Sequence, residues 1–228
     1  MIEIVYKHDD FYVVSKPADV NFHDEGSAGQ GFFNRVQTEF DETLFPVHRI
    51  DKLTSGLLIV ARNKESAAKF QEMFATHSIN KFYLAISGSK PKKKQGWIKG
   101  DMAKSRRSAY KLLRTTENPA TSLFFSQSIG SGKRLFLVKP LTGKTHQIRV
   151  ALASIGAPIL GDELYAKGEE KSADRGYLHA YALHFTWHDE QVSIQHIPAQ
   201  GTLFHTTECQ QQFESWASPE ALSWPDKS

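Results

Sequence analysis

The chain has 228 residues, enough to bury a substantial core as one large domain or two small ones. Its 40% hydrophobic and 23% charged residues are typical of a soluble globular protein. The single cysteine, Cys209, excludes an internal disulfide and a cysteine-based zinc cluster. The first residues do not form a signal peptide, and no apolar run is long enough to span a membrane. We therefore expect a cytoplasmic protein.

Charge is distributed unevenly along the chain, although the formal net charge is only +3. The segment 90–114 contains ten lysines and arginines and one acid, Asp101, whereas the rest of the chain has 18 basic and 24 acidic residues. A basic segment on an otherwise acidic protein is the pattern expected of a surface that binds a polyanion. The alternative is a solvated, mobile loop of lysines without a partner.

The first part of the chain predicts a hairpin, a helix and a buried strand. In order, we expect strands over 2–6 and 11–15, a loop over 19–30, a helix over 31–40, a polar loop over 48–56 and a strand over 57–61. Pro17 ends the second strand because proline cannot donate a hydrogen bond to a neighbouring strand. The strand after the polar loop is entirely apolar, which is typical of a strand buried on both faces.

The remainder alternates helices and strands. We expect a helix from an N-cap at Asn63 to 76, strands over 81–86, 108–114, 122–129 and 133–138, a helix from an N-cap at Thr145 to Ile155, strands over 177–187 and 191–196, and a helix over 206–216. Residues 218–228 are expected to be a frayed tail. These elements predict a single α+β domain over 1–228, with a central mixed, mainly antiparallel sheet flanked by helices.

The polar loop 48–56 contains one acid, Asp51, beside basic residues. An aspartate on a loop held by a rigid strand can act as a nucleophile, or as the electrostatic partner of a sugar carbon that becomes cationic. It stays ionised in a substrate-filled pocket if a fixed positive charge is nearby, and Arg149 is a candidate. Alternatively, Asp51 caps a turn, Arg149 is an exposed helix cation, or His48 and Asp51 bind a metal with distant histidines. The chain has no Walker loop, GxGxxG, HExxH or GxSxG motif.

Four stretches resemble, in the correct order, the motifs of the RluA-type pseudouridine synthases. HRIDKLTSGLL at 48–58 resembles HRLDxxTSGLL, KFYLA at 81–85 resembles KxYxA, GKTHQIRV at 143–150 resembles GRTHQIRV, and LHA at 178–180 resembles the LHA strand of the family. Lys16-Pro17 also resembles an early KP in these enzymes, and 156–162 continues the third motif. Ile50, Lys144 and Ala151 depart from the pattern, and none of them removes a group that the reaction needs.

The resemblance implies that the protein isomerises uridine in RNA to pseudouridine without a cofactor or metal. Asp51 would attack or stabilise the sugar while the glycosidic bond breaks, by addition to C1′, addition to the base or a glycal route. Tyr83 would stack on the base and act as general base, and Arg149 would pair with Asp51 and keep it ionised. The separate S4 RNA-binding domain that many relatives carry is not expected.

The expected partner is a stem-loop of ribosomal or transfer RNA, bound by a monomer that binds neither membrane nor metal. The target base must leave its stack, and Arg49 could occupy the vacated space. We expect RNA contacts from His48, Arg49, Thr54, Lys81, Lys144, His146, Lys92, Lys93, Lys94, Arg106 and Arg107. Two rival hypotheses are a catalytically silent RNA-binding module and a metal-dependent hydrolase built on the histidines.

Overall fold

The computed structural model describes residues 1–26 and 28–226 and divides into two compact units. Unit 1 comprises Met1–Asn80 and His179–Pro198, and unit 2 comprises Lys81–Leu178 and the chain from Ala199 onward. Helices and strands combine in an α+β fold with a mixed, mainly antiparallel sheet, which confirms the predicted fold class. The assignment of 1–228 to one domain stays a prediction. Within the described ranges, no helix has the length and apolar character that crossing a membrane requires.

The elements are numbered in chain order. The strands are β1 (Ile4–Lys7), β2 (Phe11–Lys16), β3 (Phe45–Pro46), β4 (Ser55–Ala61), β5 (Asn80–Ser87), β6 (Gln95–Gly100), β7 (Met102–Lys104), β8 (Tyr110–Leu112), β9 (Ala120–Ser128), β10 (Arg134–Pro140), β11 (Leu178–Trp187) and β12 (Glu190–Gln195). The helices are α1 (Phe32–Phe40), α2 (Lys64–Ala75), α3 (Gln147–Ser154) and α4 (Thr207–Ser215).

In unit 1, β4 lies at the centre of the strands and is buried along its whole length. It pairs antiparallel with β2 and parallel with β11, while β1 and β12 pair with the outer edges of those two strands. Helix α2 packs on these strands through Phe70, whose ring stacks on Trp187 at 4.4 Å and meets Phe11 edge-on at 5.0 Å. The predicted apolar strand is therefore the core of this unit.

Gly56 allows the close approach of β4 and β11. Its φ of +104° is disfavoured for other residues, and a Cβ at this position would lie 2.3 Å from the carbonyl oxygen of Ala180. The parallel pairing of Ser55 with His179 and of Gly56 with Ala180 therefore requires glycine here. This pairing begins only four residues after Asp51.

In unit 2, β5, β10, β9 and β6 form an antiparallel series, and β7 and β8 form a separate hairpin. The hairpin turn, Arg106–Ser108, carries two exposed arginines. The strand β6 was not predicted, because the lysines that precede it resemble a solvated loop. It is fixed by pairing with β9, which lies more than twenty residues later in the chain.

The predicted start of α3 is wrong. The N-cap of α3 is His146, in the left-handed conformation at φ 57°, and not Thr145. The side-chain oxygen of Gln147 accepts hydrogen bonds from Thr142 Oγ1 at 2.7 Å and Lys144 N–H at 3.0 Å, and these bonds fold the preceding loop against the helix start.

The described part of the tail, 218–226, is not frayed. Trp97 Nε1 donates to the carbonyl of Pro225 at 2.7 Å, and the Trp224 ring lies 4.8 Å from that of Phe125. Burial of aromatic surface thus anchors a segment that was expected to fray because it lies at a chain terminus. Residues 227 and 228 lie outside the described residues.

Candidate active site

The Asp51 loop is a tight turn between buried residues. The carbonyl of Asp51 accepts a hydrogen bond from Thr54 N–H at 3.0 Å, and the neighbouring Ile50 and Thr54 are both buried. Asp51 itself is half-buried, and Arg49 is exposed. Because Thr54 is only 2% exposed, we interpret it as a support of the turn, and the RNA contact expected of Thr54 stays a prediction.

The fully buried Lys16 fixes the backbone of this turn through hydrogen bonds. Lys16 Nζ donates to the carbonyls of Pro17 and Val20, each at 2.8 Å, and to that of Lys52 at 3.2 Å. Lys52 directly follows Asp51, so the ammonium group fixes the backbone beside the acid. Sequence reasoning assigned Lys16 no role, although it belongs to the Lys16-Pro17 stretch of the family resemblance.

A buried histidine fixes the end of the same loop. Ser55 Oγ lies 2.7 Å from His179 Nδ1, and His179 Nε2 lies 2.8 Å from the carbonyl oxygen of His196. Since a carbonyl can only accept, Nε2 of His179 donates to it. The imidazole thus links β4 to β11 immediately after the Asp51 turn, a role that sequence reasoning also missed.

His48 has structural contacts within unit 1. Its Nε2 accepts the main-chain N–H of Ile59 at 2.9 Å, and its ring packs against Phe74 with a centroid separation of 4.6 Å. These contacts attach the start of the loop to β4 and α2. The RNA contact predicted for His48 therefore stays a prediction beside a clear structural role.

In unit 2, Arg149 forms a buried bidentate ion pair with Asp162. Arg149 Nε donates to Oδ2 at 2.7 Å and Nη2 donates to Oδ1 at 2.9 Å. Arg149 is 7% exposed and Asp162 is 1% exposed, so Arg149 is not an exposed helix cation. Asp162 was within the predicted motif, but sequence reasoning gave it no function. Its signal in the sequence is an acid directly after the run Ala157–Gly161, which holds no charged residue.

The ion pair is surrounded by aromatic and imidazole groups of unit 2. The guanidinium carbon of Arg149 lies 5.2 Å from the centre of the Tyr165 ring. The Tyr165 hydroxyl is 2.9 Å from His146 Nδ1 and accepts Tyr110 N–H, also at 2.9 Å. His146 and Arg149, both predicted site residues, thus share Tyr165 as a neighbour. Tyr165 itself was not predicted.

Strand β5 supplies Lys81 and Tyr83, which are both half-buried. Tyr83 pairs with Val138 of β10, so its backbone position is set by the sheet. Burial lowers the pKa of the Lys81 ammonium group. A Cβ added at Gly143 would lie 3.9 Å from Lys81 Nζ, which places this cation beside the loop before α3.

The predicted phosphate-binding residues of the segment 90–114 are on the surface. The exposed members are Lys92, Lys93, Lys94, Arg106 and Arg107. Lys144 is half-buried, and its ammonium group donates to the carbonyl of Asn118. Among residues 1–26 and 28–226, no group of three or more histidine, cysteine or carboxylate side chains is arranged to hold a metal ion.

Comparison with known proteins agrees with the motifs. The sequence profile of the family described as RNA pseudouridylate synthase matches residues 10–154. Over 97% of its length, the chain is 46% identical to an uncharacterized RNA pseudouridine synthase of Haemophilus influenzae and covers 99% of that protein. It is 31% identical to tRNA pseudouridine synthase C of Vibrio vulnificus over 81% of this chain and 85% of the relative. It is 33% identical to ribosomal large subunit pseudouridine synthase C of Rickettsia bellii, with 71% of this chain and 56% of the relative covered.

A solved structure shows the same fold. Human RNA Pseudouridylate Synthase Domain Containing 1 aligns with a TM-score of 0.76 and 25% sequence identity, over 100% of this chain and 97% of the human one. The profile match covers more than half of the chain, and the Haemophilus relative covers nearly all of it. The chain therefore belongs to the RNA pseudouridine synthase family, and its activity is that of an RNA-modifying isomerase.

Proposed function

We propose that the protein converts a specific uridine of ribosomal or transfer RNA into pseudouridine through Asp51, without a cofactor. The observation that carries this proposal is the construction of the Asp51 turn. One acid lies within the first family motif, between buried residues, and the backbone beside it is fixed by the buried Lys16 ammonium group. Such rigidity is what a reacting group needs, because small misplacements of a catalytic group reduce the rate strongly.

The chemistry is an isomerisation that conserves every atom of the uridine. The bond between C1′ and N1 breaks, the uracil rotates, and a bond between C1′ and C5 forms. The hydrogen on C5 leaves as a proton and N1 gains one. Asp51 assists by addition to C1′, by addition to the base or by a glycal route, and these three routes remain open.

Tyr83 and Arg149 complete the proposed catalytic set. Tyr83 stacks on the target base and removes the C5 proton, and the sheet register of β5 supports this role by fixing its backbone. Arg149 keeps the catalytic acid ionised. Its bidentate pairing with Asp162 supports the role because it holds the planar guanidinium in a single orientation.

The substrate base has to be taken out of its stack before it can react. Unstacking costs a few kcal/mol and is least costly in loops, which favours a stem-loop as the target. Arg49 is exposed beside Asp51 and is the side chain we assign to the vacated space. The relatives named for ribosomal and for transfer RNA support the two substrate classes.

The decisive variant is Asp51→Asn, which keeps the size of the side chain and removes its charge. We expect pseudouridine formation to fall at least about a thousandfold, while RNA affinity changes little. The assay is release of tritium from RNA labelled at C5 of uridine. Asp41→Asn is the matched control, because it makes the same change on an exposed residue of unit 1 and should leave the rate unchanged.

The same assay separates the rival functions. A silent RNA-binding module would release no tritium even as the wild-type protein, and a metal-dependent hydrolase would be inhibited by a chelator. An active Asp51→Asn protein would refute the catalytic assignment. Mapping pseudouridines in RNA from cells with and without this gene would identify the target uridine.

We also propose that the basic segment 90–114 binds phosphates. Changing Lys92, Lys93 and Lys94 to glutamine should weaken RNA binding and make it less dependent on salt. The slope of log K against log salt concentration should become shallower by about 0.7–0.9 for each phosphate that the variant no longer neutralises. The control changes Lys7, Lys64 and Lys69, three exposed lysines of unit 1, in the same way. Equal slopes for the two triple variants would contradict a phosphate-binding role for this segment.

A further inference from the structure

The hydroxyl of Tyr165 connects two elements of unit 2, the β7–β8 hairpin and the start of α3. It accepts the main-chain N–H of Tyr110, the first residue of β8, at 2.9 Å. It also lies 2.9 Å from Nδ1 of His146, the N-cap of α3. Because an amide can only donate, the Tyr165 oxygen accepts from Tyr110, and a second hydrogen bond joins the same hydroxyl to the His146 imidazole. One side chain therefore makes two directed hydrogen bonds to two separate elements.

The ring of Tyr165 is attached to Arg149 in two ways. The guanidinium carbon lies 5.2 Å from the ring centre, within the range of a cation–π interaction. The Asp162 carboxylate that pairs with Arg149 also accepts the main-chain N–H groups of Leu164 at 3.0 Å and Tyr165 at 3.3 Å. Movement of Tyr165 would therefore disturb the ion pair, and movement of Arg149 would disturb Tyr165.

The contact at Tyr110 anchors the tip of the hairpin. Tyr110 pairs with Lys104 across the turn that carries the exposed Arg106 and Arg107. Arg107 and Ser108 both have positive φ values, 55° and 60°. Non-glycine residues keep this conformation where the surrounding structure holds them in it. The edge-on packing of the Tyr110 ring against His146, at 5.5 Å, adds to that restraint.

We propose that Tyr165 is a positioning residue that ties the basic hairpin tip to Arg149. RNA phosphates gripped by Arg106 and Arg107 are then held in a fixed register with the Arg149 guanidinium. This inference rests on the proposed function, because it assigns RNA binding to the hairpin and catalysis to Arg149. The energy of RNA binding is used here to orient the substrate. Loss of the Tyr165 hydrogen bonds, which we call the tie, therefore lowers the turnover rate more than the affinity for RNA.

Tyr165→Phe tests the tie, because it keeps the ring over Arg149 and removes both hydrogen bonds of the hydroxyl. We expect kcat to fall roughly tenfold, the effect of about one hydrogen bond, and KM to change by less than about twofold. The amide proton of Tyr110 should exchange with solvent roughly tenfold faster when followed by NMR. Tyr12→Phe is the control: it removes a hydroxyl bonded to Glu42 at 2.7 Å in unit 1 and should leave both kcat and this exchange unchanged.

A double-mutant cycle separates coupling from a general loss of order. Arg106→Gln with Arg107→Gln removes the charges of the tip, and Tyr165→Phe is then added to that background. If the tie acts through the tip, Tyr165→Phe should lower kcat there by less than about threefold. Independent, multiplicative effects would overturn the proposal, and so would unchanged amide exchange at Tyr110 in the single variant.

Failure of this inference is distinguishable from failure of the proposed function. If the wild-type protein forms no pseudouridine, the proposed function fails. The exchange of the Tyr110 amide requires no substrate and still tests the tie itself: faster exchange in Tyr165→Phe supports it, and equal exchange refutes it.

Discussion

Asp162→Asn is expected to destabilise unit 2 strongly, because it removes one charge of a buried ion pair. It removes the negative charge of Asp162 that faces the Arg149 guanidinium, which is 7% exposed. Breaking a buried pair by removing one partner costs about 3–5 kcal/mol, because the remaining charge stays desolvated. For a chain of this length we expect the Tm to fall by roughly 6–20 °C. Since stabilities of about 5–15 kcal/mol are usual, most of the protein should still fold at 25 °C.

The measurement is equilibrium unfolding by urea, with thermal unfolding as a second readout. The control is Glu72→Gln, which makes a similar chemical change in the exposed Lys69–Glu72 pair of α2, whose side chains are 51% and 64% exposed. Exposed helix pairs of this kind are worth up to about 0.5 kcal/mol. An Asp162→Asn protein as stable as the control would refute the reasoning, because the ion pair could not then be desolvated in solution.

A double variant separates stability from catalysis. Replacing Arg149 by methionine and Asp162 by asparagine together removes both charges, keeps similar volumes and leaves a side-chain oxygen that can accept the main-chain N–H groups of Leu164 and Tyr165. Because no desolvated charge then remains in the pair, we expect most of the free energy of unfolding lost in Asp162→Asn to be recovered. Tritium release from RNA should nevertheless stay abolished, because the guanidinium is gone. Recovery of activity with recovered stability would contradict the catalytic role proposed for Arg149.

Two further predictions concern backbone geometry and charge. Gly56→Ala should lower the free energy of unfolding in urea by more than about 2 kcal/mol, because its Cβ would lie 2.3 Å from the Ala180 carbonyl oxygen. The control is Gly130→Ala, also at positive φ but with nothing within 4 Å, which should lower it by only about 1–2 kcal/mol. Equal losses in the two variants would argue against the close approach of β4 and β11. Lys81→Met should raise the free energy of unfolding at neutral pH, because burial lowers the Lys81 pKa and so penalises its charged form in the folded state. That gain should vanish as the pH rises above about 10.5, where the unfolded chain also loses the proton, and a gain independent of pH between 7 and 11 would refute this explanation.

The sequence predicts the Asp51 loop well because its determinants are local. The apolar run after Gly56 requires a buried strand, and a polar loop must then precede it. Strand β6 lacks such a determinant, since the lysines before it resemble a solvated loop and only pairing with β9 defines it. The order of residues 218–226 is not predicted for the same reason, because the contact of Trp224 with Phe125 joins residues almost one hundred positions apart. Long-range pairing overrides local composition in both cases.

For the residues of the candidate site, the sequence does not predict the surroundings of each side chain. Arg149 was identified as a cation near a helix start, but its burial depends on Asp162, thirteen residues later. For His48 the sequence predicts an RNA contact, which stays a prediction, but it does not predict that the side chain also accepts the main-chain N–H of Ile59. A polar residue in a motif appears the same in the sequence whether its side chain faces a ligand or forms a hydrogen bond with the backbone. Only the three-dimensional structure distinguishes these two cases.

The buried polar groups around the Asp51 turn and the start of α3 are best explained by positioning and not by stability. Lys16, His179 and the pair of Arg149 with Asp162 are all nearly inaccessible to solvent, and burial of such groups is costly even when they are fully paired. Apolar residues could fill the same volumes at lower cost. Hydrogen bonds, unlike apolar contacts, are directional, so each of these groups fixes one specific backbone or guanidinium geometry. They occur where the Asp51 turn and the start of α3 need such fixing. For this reason we expect substitutions here to affect turnover more than their loss of stability alone would account for.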